Sequence, residues 1–67
     1  MNAKLLRGAM VEVGYNAKTM AQSLGMAPKT FYSRINEHTQ FTTGEITKIC
    51  DLLKIDDAER KCKIFLE

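Results

Sequence analysis

The chain has 67 residues, 45% hydrophobic and 27% charged, with 10 Lys and Arg against 8 Asp and Glu. That apolar content excludes a disordered chain, and that length leaves room for one small domain and for no deep catalytic pocket. No run of about 18 apolar residues exists to span a membrane, and Met1 to Lys4 lead into no secretory h-region, so the sequence reads as a complete cytoplasmic protein.

Helical spacing dominates from the start, and no alternating β-branched run with a hairpin turn appears. The first predicted helix runs from Lys4 to Val13, with Leu6, Met10 and Val13 as its inner stripe and Leu5 and Ala9 alongside; Gly14 fits the left-handed position that closes it. The second spans Ala17 to Leu24. Asn16 is a suitable N-cap, Tyr15 and Met20 have the spacing of a hydrophobic staple, and Gly25 follows at once. Met20, Ala21 and Leu24 form its inner side.

The third helix opens at Pro28, since proline is well placed at the first helical position. Ala27 is then a weak N-cap, Phe31 and Ile35 face inward, and Lys29, Thr30, Tyr32, Ser33 and Asn36 occupy the other sides. The fourth has the clearest start: Thr42 and Glu45 form a capping box, Phe41 and Ile46 the matching staple, and Ile46, Ile49, Cys50 and Leu53 the inner stripe. Asp56 and Glu59 have the same spacing and predict a last helix with Ala58, Cys62 and Phe65 turned inward. The expectation is a compact all-α domain of five short helices across residues 1–67, without repeats.

Two cysteines, no C-x-x-C pair and a single histidine, His38, do not supply a tetrahedral zinc site. Cys50 and Cys62 are expected as reduced, buried core thiols. No Gly-rich phosphate loop and no Ser/His/Asp set is present, so no catalysis, cofactor, metal or small-molecule ligand is expected.

Charge is unevenly placed. Residues 1–36 carry five basic side chains against one acidic, a balance of +4, whereas residues 37–67 carry five against seven, a balance of −2. A basic half suits an anionic partner such as a phosphate backbone. Only Gly25, Met26 and Ala27 separate the second and third helices, and a three-residue turn containing Gly makes such helices cross steeply. Ala21 permits close approach, and Phe31 and Ile35 anchor the third helix. Its polar side then projects, and a helix fits the DNA major groove, about 12 Å wide.

The run Met20-Ala21-Gln22-Ser23-Leu24-Gly25, followed by Phe31, resembles the helix-turn-helix of phage Cro and repressor proteins and of the related XRE-type bacterial regulators. The resemblance covers residues 4–55. It implies a lambda-repressor-like domain with its helix-turn-helix at helices two and three, acting as a sequence-specific transcriptional regulator that binds a palindromic operator, and so short a chain leaves no space for an effector pocket. The chain departs from that pattern at three places. Asn16-Ala17 stands where the family often has a phosphate-bonding Gln, Asn36 is followed by Glu37 rather than Gly, and Pro28 replaces a base-reading Gln of some relatives.

On this reading Pro28, Lys29, Tyr32, Ser33 and Asn36 face the bases. Lys29 would reach guanine O6 or N7, and Pro28 or Tyr32 a thymine methyl. Asn16, Ala17, Lys18, Thr30, Arg34, Thr42 and Thr43 would meet phosphates, the last two at a helix N-terminus. The partners implied are double-stranded DNA and a second copy of the chain, with no membrane. Ile64, Phe65 and Leu66 are the expected dimer contacts, because three adjacent apolar residues cannot all point into one core. An antitoxin-type module, binding a partner toxin and its own promoter, is the alternative that the same run suggests.

Overall fold

The computed structural model describes residues 1–66. Five helices follow one another: α1 (Ala3–Val13), α2 (Ala17–Leu24), α3 (Pro28–Ile35), α4 (Thr43–Leu53) and α5 (Ala58–Phe65). There is no strand among the described residues, and no helix is long and apolar enough to cross a membrane.

Side chains satisfy the free N–H groups at most helix starts. Asn2 Oδ1 accepts from the Leu5 N–H at 3.1 Å. Asn16 and Thr19 cap α2 reciprocally, each side chain accepting from the other's N–H at 2.9 Å. Thr42 and Glu45 do the same for α4 at 2.9 and 3.1 Å. Ala27 has no capping bond, and Pro28 at the first position of α3 removes one of the donors that would need it.

The first four helices end alike. A left-handed residue follows each, at Gly14 (φ 93°), Gly25 (φ 72°), Glu37 (φ 65°) and Lys54 (φ 57°). The next N–H reaches back to a carbonyl five residues earlier: Tyr15 to Met10, Met26 to Ala21, His38 to Ser33 and Ile55 to Cys50. These paired bonds define the Schellman closure. In three of the four, the reaching residue is apolar and its partner is buried; at the end of α3 both are polar.

The core draws on every helix. Leu6, Met20, Phe31, Ile49 and Ile64 are its largest fully buried side chains, joined by Ala9, Met10, Ala21, Leu24, Ile35, Cys50, Leu53 and Ile55. Phe31 meets Phe41 with tilted rings 5.9 Å apart. α2 packs on α3 and α4, while α1 packs on α4 and α5.

Three expectations fail. The apolar stripe of α1 is narrower than expected: Val13 is 43% exposed and Leu5 46%, since Leu6, Ala9 and Met10 fill the side that meets the core. The cap of α5 is Asp57, not Asp56; its side chain accepts from the Glu59 N–H at 3.0 Å. The inner side of α5 is Ile64, with Phe65 partly buried, whereas Ala58 and Cys62 are exposed. Burying a branched aliphatic side chain removes more apolar area from water than burying Ala or Cys. The Asn2 N–H, bonded to the Ile64 carbonyl at 2.6 Å, holds α5 in that orientation beside α1. Cys50 is buried as expected, and burial pushes its thiol up from its ordinary range, with Lys61 opposing and Asp51 adding to the shift.

Candidate nucleic-acid interface

α3 has two unlike sides. Phe31 and Ile35 are buried, and they fix the rotation of the helix on the core. Pro28, Lys29, Tyr32 and Asn36 then fall on the exposed side, about one turn apart, with Tyr32 51% exposed. No acidic residue lies between Val13 and Asn36. Glu12 is the last one before that stretch, and its carboxylate lies 3.3 Å from Arg60 of α5.

The start of α2 lies close to this side. Asn16, Ala17, Tyr15 and Tyr32 line one shallow apolar cleft of about 270 Å³, floored by Phe31, Ile35 and Met10. Lys18 is exposed on the next position of α2. The Asn16 oxygen is used by its own helix, since it accepts from Thr19, which leaves its amide N–H groups as donors.

Other expected contacts have partners within the chain. Arg34 is mostly covered: its guanidinium donates to the Gln40 carbonyl at 3.0 Å, and its Nε lies 3.2 Å from Glu45 Oε1. That Nε–H does not aim along the line to the carboxylate and makes no hydrogen bond, so the pair is an ion contact alone. Arg34 ties the end of α3 to the start of α4 and is not a free cation. Ser33 is half-buried, and its hydroxyl lies 3.4 Å from that of Thr39. Thr30 is half-buried as well. The Thr42 hydroxyl accepts from the Glu45 N–H, while Thr43 is exposed and its carbonyl accepts from the Thr47 hydroxyl at 3.0 Å.

One contributor was invisible to local spacing. Arg7 of α1 donates through Nη2 to Asn36 Oδ1 at 3.1 Å, across 29 positions of sequence. It places a further cation beside the exposed side of α3, and it occupies the acceptor of Asn36 while leaving that residue's amide donors free. No periodicity in α1 signals this pairing.

The expected dimer residues divide. Ile64 is buried and Phe65 partly so, packed against the core; Leu66 is 78% exposed. Ile64 therefore serves the monomer's own core and is unavailable to a second copy. No protein-family model, curated protein or solved structure matches the chain.

Proposed function

We propose that this protein is a sequence-specific double-stranded-DNA-binding regulator of transcription, with α2 and α3 as a helix-turn-helix in a lambda-repressor-like domain. The observation that carries the reading is the exposed, acid-free side of α3, bearing Lys29 and Tyr32 and anchored from behind by buried Phe31 and Ile35. A helix held in that way can enter a major groove while its supports stay outside.

The roles follow from what is free. Lys29 donates to guanine O6 or N7, Tyr32 and Pro28 touch thymine methyl groups, and Asn36 offers its amide donors to an acceptor. Lys18, Arg7 and the Asn16 amide meet phosphates and set the register, as does the exposed start of α4 at Thr43. Arg34, Ser33 and Thr42 support the frame. The longest dimension of the subunit is 29 Å, whereas successive major grooves on one face of DNA lie about 34 Å apart. A palindromic operator thus takes two subunits side by side.

The C-terminal apolar run that suggests a toxin-binding module is largely absorbed by the core, with Leu66 alone left well exposed. DNA binding is therefore the better-supported reading. Selection of bound duplexes from a random pool tests it. The expected product is a short half-site repeated as an inverted pair with centres about one helical turn apart. A pool that shows no enrichment after repeated rounds at low salt would refute it.

A further inference from the structure

The exposed side of α1 carries a mid-helix glycine flanked by apolar and charged side chains. Gly8 lies in the middle of the helix, where glycine is less favourable than Ala. Nothing in the subunit requires that loss: a Cβ added at Gly8 would meet no atom within 4 Å, and its backbone is ordinary helix. Around it stand two exposed apolar side chains, Leu5 and Val11, the latter 74% exposed. Lys4 and Glu12 are exposed one turn to either side.

This arrangement is symmetric about Gly8 with opposite charge at its ends. Lys4 lies four residues before Gly8 and Glu12 four after; Leu5 lies three before and Val11 three after. Two copies of α1 crossing antiparallel at Gly8 would therefore bring Lys4 level with the partner's Glu12, and Leu5 level with the partner's Val11. Each match occurs twice, as a two-fold contact requires. The missing side chain at the crossing lets the backbones approach, and the apolar residues flank it. Glu12 already lies 3.3 Å from Arg60 of its own subunit, so the partner's Lys4 joins that carboxylate as a second cation. A parallel crossing would instead oppose like charges at both ends.

We propose that this protein self-associates through an antiparallel α1–α1 contact centred on Gly8, with a second copy of the chain as the occupant. The contact is small, since an 11-residue helix is about 16 Å long, so the association is weak and concentration-dependent. It concerns the free protein and does not rest on the DNA-binding reading.

Sedimentation equilibrium of the full chain without DNA, up to about 1 mM, tests it. The wild-type mass is expected to climb from 7.6 kDa toward twice that value. Lys4→Glu and Glu12→Lys, each placing like charges opposite one another twice, should weaken the association roughly tenfold or more, and the double swap should restore it. Gly8→Met adds bulk where the subunit has open space; it should leave the helical circular dichroism intact and abolish the dimer. A wild-type protein that stays monomeric, single swaps or Gly8→Met without effect, or a double swap that fails to restore association would each overturn the proposal.

Discussion

Glu37 holds a left-handed conformation that costs a non-glycine residue about 1–2 kcal/mol. Its carboxylate lies 3.4 Å from the Met1 amine but is mostly exposed, and such contacts return little. Glu37→Gly is therefore expected to stabilise the protein by about 1 kcal/mol and raise Tm by about 4–8 °C. A lower Tm in a thermal melt would show that the side chain matters more than the backbone strain. Lys29 by contrast is exposed and has no ion pair or side-chain hydrogen bond among the described residues, and Lys29→Ala should weaken operator binding by about 1–3 kcal/mol while leaving Tm unchanged. Equal loss on operator and random duplex would assign Lys29 to phosphate and not to a base. Arg34 shows why charge alone misleads: it looked like a phosphate ligand in the sequence, but its contacts with Gln40 and Glu45 lie beyond the window in which helical spacing is informative.

At the scale of helices, the ends set by a single strong cap or a glycine are the legible ones. The bounds of α2 and α3 follow from Asn16, Gly25 and Pro28, residues whose capping and backbone preferences act over three or four positions. The capping box of α4 is legible for the same reason. The start of α5 is ambiguous in the sequence because Asp56 and Asp57 are competing caps, and its inner side is decided by packing against α1 through Ile64. The candidate interface divides in the same way: the exposed side of α3 was visible in the spacing of Phe31 and Ile35, whereas the Arg7–Asn36 bond depends on how α1 lies against α3. The α2–α3 junction offers a direct check. Ala21 is fully buried where these helices pack, so Ala21→Leu should cost about 1–3 kcal/mol by overpacking. An unchanged melting temperature would mean that the helices have space to spare there.

The whole molecule is small enough for such changes to matter, because cores of this size rarely supply more than about 3–5 kcal/mol. Its charge also sets the character of binding. With Arg34 engaged, Lys29 and Arg7 are cations at the exposed side of α3, and Lys18 is exposed at the start of α2. Two or three phosphates neutralised per subunit give a slope of log K against log salt of about −2 to −3, doubled for two subunits on one site. A slope near zero would contradict a backbone-facing role for these residues. On the proposed function, the outer side of α3 is the surface that meets DNA. Amide chemical shifts recorded by NMR while a selected duplex is added test it most directly. The largest changes are expected at Lys29, Tyr32 and Asn36, with a second group at Asn16 to Lys18. Changes confined to α5 and the outer face of α1, with α3 unmoved at saturation, would contradict it.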